Sequence, residues 1–281
     1  MNSKKGSKVI ITVFVILLIC TGFAIQHFYG RINKEINSAK SFVELLYDKK
    51  MIDTSEDLDE IDYEVVKQLD GNKENYRVSS ENFGFDLNSE YNVIGFTYNY
   101  KLKNEDNLLS EEEARKLAEK YISILSEEDY KFKKQIQEEL SDGLSYYGYM
   151  FSRYKDGYPF YNDQIMIQID KYSGYLTGYS NTTSQGTPEK IEINVELDGA
   201  KEIAIETFNS LNKDGVVDSN DILVAYADNK DKTRTELCYV ITVSGKDVDD
   251  KDVKWKFFIT TDTGEVINST RDTVSKSGSI N

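Results

Sequence analysis

The chain has 281 residues, of which 34 are Lys or Arg and 49 are Asp or Glu, a formal charge of −15. A body this acidic repels phosphate backbones, which excludes nucleic acid as a partner, while 39% apolar and 12% aromatic residues exclude intrinsic disorder. The lone histidine, His27, and two distant cysteines, Cys20 and Cys238, exclude Ser-His-Asp and Cys-His nucleophiles, a His-rich zinc site and CxxC chemistry, so no cofactor is implied.

In chain order, Lys4, Lys5 and Lys8 precede an uncharged run from Val9 to Ile25. With Phe28 and Tyr29 it approaches the roughly 20 residues that span a bilayer. The lysines favour a cytoplasmic N-terminus. The sequence therefore predicts a transmembrane anchor over 1–30, single-pass in the cell membrane, with the remainder extracytoplasmic. A cleaved signal peptide and a lipid anchor are the alternatives. No A-x-A site follows Ile25, and Leu17-Leu18-Ile19-Cys20 resembles a lipoprotein site except for the bulky Ile19. Next, Ile32, Ile36, Ala39, Val43 and Leu46 recur at helical spacing and predict an amphipathic helix of about five turns. It opens a segment, 31–103, whose later part is the faintest copy of a repeat.

The repeat is clearest further along. Leu109-Ser110-Glu111-Glu112-Glu113-Ala114 opens a helix with Ser110 as N-cap and Glu113 three residues on, a capping box. Leu197-Asp198-Gly199-Ala200 opens a second, with Asp198 as the expected cap. Strands follow each helix: Tyr146 to Arg153, Gln164 to Ile169 and Tyr175 to Tyr179 after the first; Ile222 to Ala227, Glu236 to Val243, Lys254 to Thr260 and Glu265 to Ser269 after the second. Turns are marked by Asp156-Gly157, by Asp170 to Gly174 and by Thr260 to Gly264, with Gly157, Gly174 and Gly264 where positive φ is needed. A fainter copy covers Phe85 to Phe96. The units expected are 31–103, 104–184 and 189–272, with a polar tail at 273–281. The fold class expected is α+β, an N-terminal transmembrane helix followed by tandem units, each a helix on a small antiparallel sheet.

Tyr149-Met150-Phe151-Ser152-Arg153-Tyr154-Lys155-Asp156-Gly157-Tyr158-Pro159-Phe160 resembles the aromatic-Arg-x-x-x-Gly-x-Pro hairpin of the PepSY superfamily. Asn162 to Asp170, closed by Ser173-Gly174, is similar to its following strand and turn, and the helix opening at Leu109 fits as well. The likeness, to the YcdB/YcdC repeat and to the C-terminal part of YpeB-type proteins, covers about residues 75–272 and is best in the middle unit. The third unit departs from the pattern, with Thr260 at the turn aspartate and no Arg-x-x-x-Gly-x-Pro hairpin. The resemblance implies an extracytoplasmic α+β binding module that inhibits, chaperones or localises a secreted protease or wall-lytic enzyme. It implies no catalytic residues.

Arg153, Tyr154, Asp156 and Tyr158 flank the sharpest turn and are the candidate binding residues for an exported protein partner. Arg153 suits a partner's carboxylate or, alternatively, an acid in its own interior. The many tyrosines of the middle unit suit either ligand stacking or cross-strand packing. Asn212, Asp214, Asp218 and Asp221 fall at four of the twelve positions of a calcium loop, but Ser210 stands at the first ligand position. The competing reading is a helix end and turn feeding a strand, with Gly215 at positive φ. Two function classes result: a membrane-anchored, non-catalytic interaction module, or a hydrolase of glycan or peptide using two carboxylates.

Overall fold

The computed structural model describes residues 34–53, 57–70, 73–99, 108–136, 145–183 and 191–272. Among the described residues the fold is α+β, with three helices and a mixed sheet. Two compact units divide the chain. One comprises Met1–Tyr121, Gln135–Tyr149 and Met166–Asn181; the other comprises Ile122–Lys134, Met150–Ile165 and Thr182–Asn281.

In the first unit, helix α1 (34–48) is followed by strands β1 (Glu64–Asp70), β2 (Lys73–Ser79), β3 (Phe83–Leu87) and β4 (Val93–Tyr98). Most of helix α2 (Glu111–Leu125), the second half of β7 (Tyr158–Asp170) and strand β8 (Leu176–Asn181) complete it. The strand order is β1-β2-β3-β4-β8-β7. Ala39, Val43 and Leu46 of α1 are fully buried, three positions of the expected apolar seam. The Phe42 ring lies 5.5 Å from Phe96 and 6.0 Å from Tyr179, which fixes the helix on β4 and β8.

The second unit contains most of strand β5 (Asp129–Ile136), the end of β6 (Tyr146–Lys155) and the first half of β7. Helix α3 (Leu197–Asn209) and strands β9 (Lys213–Asp228), β10 (Thr235–Lys246), β11 (Asp252–Thr260) and β12 (Val266–Asp272) follow. Here β5 pairs with β6 and β6 with β7, and the order continues β7-β9-β10-β11-β12. Helix α3 sets Ala200, Ala204 and Phe208 against Tyr239, Ile241, Val243, Phe257 and Ile259. The β9–β10–β11–β12 pairings are antiparallel, but β7 meets β9 in parallel at Phe160 and Tyr226. The expectation of purely antiparallel sheets is corrected by that bridge.

Helix and turn interlock in the same way in both units. Gly174 N–H donates to Asp170 O at 3.1 Å, and Gly264 N–H to Thr260 O at 3.1 Å. Both glycines hold positive φ, 75° and 76°. A Cβ on Gly174 would meet Leu117 Cδ1 at 2.9 Å, and one on Gly264 would meet Ile203 Cδ1 at 3.0 Å, so each helix presses on its turn where only glycine fits. Leu109 N–H bonds Lys171 O at 2.8 Å as Val195 N–H bonds Thr261 O at 2.9 Å. The fainter copy is a residue tighter: Asn88 N–H bonds Asn92 O at 3.0 Å, and Tyr91 takes the positive φ, 66°.

Two sequence expectations require correction here. Among the described residues no helix is long and apolar enough to cross a membrane. Helices α2 and α3 have only 15 and 13 residues and carry charged outer faces, against the roughly 20 apolar residues a bilayer requires. The single-pass assignment is therefore not supported; the run at 9–25, with Cys20 and His27, lies outside the described residues. The second correction concerns Asp198. Helix α3 starts two residues earlier than that cap implies, with Glu196 as N-cap (φ −71°, ψ 153°) and no side-chain cap. Bonds from Asn194 and Val195 N–H to Thr261 O pin the chain just before it. Asp198 sits in the first turn, where its charge still favours the helix dipole, and it pairs with Lys201 Nζ at 2.8 Å.

Candidate functional site

The β6–β7 hairpin turns on Asp156 (φ 51°) and Gly157 (φ 87°), two left-handed residues matching the twist of the strands they join. Arg153 lies three residues before that turn and points inward. It is only 8% exposed, and Asp163 only 2%. The guanidinium donates from Nε to Glu128 Oε2 at 3.2 Å, from Nη2 to Glu128 Oε1 at 2.9 Å and from Nη1 to Asp163 Oδ2 at 3.1 Å. Its Cζ also lies 4.2 Å from the Phe160 ring centre. Burial opposes the charge, but the bonds to Glu128 and Asp163 outweigh it and hold the pKa above its ordinary value. Asp163 shares this inward side because the buried alternation of β7 slips one place after Phe160, resuming at Asp163, Ile165, Ile167 and Ile169.

The other three candidates divide. Asp156 and Tyr158 gather at the buried Tyr226: its hydroxyl donates to Asp156 Oδ2 at 3.5 Å, and the rings of Tyr158 and Tyr226 stand edge-to-face at 6.5 Å. Burial first, and then the Asp156 charge, push the Tyr226 phenol up to about 12. Tyr154 turns to the opposite side of the hairpin. There it joins Lys131, Phe132 and Lys133 of β5, Pro159 of β7 and Leu223 of β9 in lining a groove of about 360 Å³. Lys131 Nζ is 4.3 Å from the Tyr154 ring centre. Sequence reasoning did not single out the β5 lysines, because a strand reading Asp-Tyr-Lys-Phe-Lys-Lys lacks the apolar alternation that signals a half-buried strand.

Tyrosines of the middle region serve largely as helix anchors. Tyr147 donates to Leu109 O at 2.9 Å, Tyr149 to Glu111 O at 2.7 Å and Tyr121 to Gly174 O at 3.0 Å. The Ser110 box is reciprocal: Ser110 N–H and Oγ donate to Glu113 Oε2 at 2.9 and 2.6 Å, and Glu113 N–H donates to Ser110 Oγ at 3.3 Å. The Asp170 carboxylate braces its turn, accepting from Ser173 N–H at 2.7 Å.

The calcium-loop residues are strung out where α3 passes into β9. Asn212 Nδ2 donates to Phe208 O at 3.2 Å, Asp218 faces Lys254 at 3.5 Å, and Asp221 accepts from Thr242 Oγ1 at 2.6 Å. Among the described residues no three acids, cysteines or histidines gather as metal ligands. Positive φ belongs to Asp214 (55°) and not to Gly215, which corrects that part of the turn reading. Gly215 is needed for room instead: a Cβ there would meet Phe208 Cδ1 at 2.8 Å. Cys238 is buried and free, its thiol pushed up by burial.

Residues 84–183 match the family model of the YcdB, YcdC repeated domain, which bears out the resemblance drawn from the hairpin and turn motifs. No curated protein matches the chain. Among solved structures, the Bacillus megaterium YpeB C-terminal domain is similar at 16% identity, over 76% of this chain and 90% of that one, with a TM-score of 0.43.

Proposed function

We propose that this chain, whose residues 84–183 match the family model of the YcdB, YcdC repeated domain, is an extracytoplasmic protein-interaction module. It inhibits, chaperones or localises a secreted protease or wall-lytic enzyme and catalyses no reaction itself. The observation that carries the reading is strand β5, which among the described residues pairs with β6 alone and borders the aromatic groove at Tyr154. A strand paired on one side accepts an extended partner segment through main-chain hydrogen bonds. The extracytoplasmic setting and the class of partner come from the repeat likeness.

The test is capture followed by assay. Immobilised full chain, exposed to secreted and wall-extracted proteins, is expected to retain a defined hydrolase whose activity or lifetime changes on stoichiometric addition of the chain. Turnover of a glycan or peptide by the chain alone, without capture, overturns the reading.

A further inference from the structure

Strand β5 runs Asp129-Tyr130-Lys131-Phe132-Lys133-Lys134-Gln135-Ile136, and among the described residues only β6 pairs with it. Because side chains alternate along a strand, Lys131 and Lys133 emerge on one face and Phe132 on the other. Lys131 reaches its nearest acid, Asp129, only at 3.8 Å on the exposed surface. Among the described residues no carboxylate lies within ion-pair distance of Lys133. Burial, and then the neighbouring Lys134, lower the Lys133 pKa, so its charge is under-compensated where it stands. Phe132 packs edge-on against the buried Phe151 at 5.8 Å yet remains 40% exposed. A cation–aromatic–cation triplet thus lies along an outer strand of a chain whose net charge is −15.

We propose that β5 is the docking strand for an extended acidic–apolar–acidic segment of a partner protein. The inference rests on the interaction reading above and names the chemistry of its site. Residues opposite one another on paired strands share a face. Acids two positions apart in the added strand therefore meet Lys131 and Lys133, and the apolar residue between them covers Phe132. The groove lined by Lys131, Lys133 and Tyr154 lies beside this edge, with Lys131 Nζ 4.3 Å from the Tyr154 ring centre. The acidic body repels an acidic segment everywhere else, so the charges of β5 set register and selectivity more than affinity. The competing account is that the lysines only guard an edge strand against aggregation.

The probe is a labelled octapeptide of alternating glutamate and valine, with a lysine–valine control, titrated into the full chain by fluorescence anisotropy at low salt. The glutamate peptide is expected to bind about tenfold more tightly than the lysine peptide. Lys131→Glu with Lys133→Glu inverts that preference. Lys131→Gln with Lys133→Gln, a milder pair, removes it with an unchanged circular dichroism spectrum. N-methylation of the peptide amides on the pairing edge abolishes binding. No binding at millimolar peptide, equal binding by both double variants, or indifference to N-methylation would each overturn the proposal and leave the lysines as edge guards. Capture of a hydrolase that survives the double reversal overturns this assignment alone. Substrate turnover without capture overturns the interaction reading on which it rests.

Discussion

Arg153 shows how one residue trades a surface role for an interior one. With the half-exposed Glu128 and the buried Asp163 both engaged, its side chain completes an ion cluster beside Phe160. Removing the cation takes the Arg153 ion pair from Asp163, which is only 2% exposed. Arg153→Met is expected to lower stability in urea unfolding by about 3–5 kcal/mol, the range for breaking a buried pair from one side, and Asp163→Leu added to it should recover much of that loss. Glycines give a second contrast. Gly157→Ala meets nothing within 4 Å and suffers only its left-handed φ, which costs about 1–2 kcal/mol. Gly174→Ala adds the approach of Leu117 Cδ1 at 2.9 Å and is expected to cost more. Glu113 is a third case. The Ser110 hydroxyl, and then its N–H, hold the carboxyl below the usual glutamate range. A depressed carboxyl contributes stability above its unfolded pKa, about 4.3, and that contribution is lost as pH falls through the lower folded value. NMR titration should place Glu113 low in the native chain and return it upward in Ser110→Ala.

At the level of elements, helices α2 and α3 are each held by tyrosine hydroxyls reaching main-chain carbonyls just before or within the first turn. Tyr147 reaches Leu109 O, and Tyr239 reaches Val195 O at 2.9 Å. Tyr239→Phe removes that bond with little change in packing and is expected to cost about 1 kcal/mol, read from denaturant melts. Strand β9 bears on metal. Its acids turn toward Lys254 and Thr242, so addition of calcium or of chelator is expected to leave the thermal midpoint unchanged. A rise of several degrees with calcium would show binding to the native state.

For the whole molecule, the charge of −15 and the basic triplet on β5 respond oppositely to salt. Screening relieves self-repulsion of the acidic body, so raising sodium chloride at neutral pH should raise the melting temperature. The same screening should weaken the glutamate–valine peptide. A peptide affinity insensitive to salt would place the contact away from the lysines.

Local interactions were legible in the sequence because their partners lie within a few residues. The Ser110–Glu113 box, the left-handed Asp156-Gly157 pair and the glycines at 174 and 264 depend on geometry that a short window encodes. The buried seam of α1 followed from periodicity, since burial on one face imposes it, and the strands around Val240 and Phe258 followed from their apolar runs. Strands β1 and β5 escaped notice because both are largely exposed and carry charges where alternation would have betrayed them. The start of α3 escaped too, because its preceding residues are bound by Thr261, far along the chain. The direction of Arg153 was decided only by tertiary structure: the slip in β7 after Phe160 brings Asp163 to its side, and Glu128 arrives from the bend between α2 and β5. Which side chains meet across strands depends on register, and register is a property of the assembled sheet. The sequence by itself therefore determined the helices, the turns and the repeat, whereas the sheet decided which charges were buried and which were left exposed.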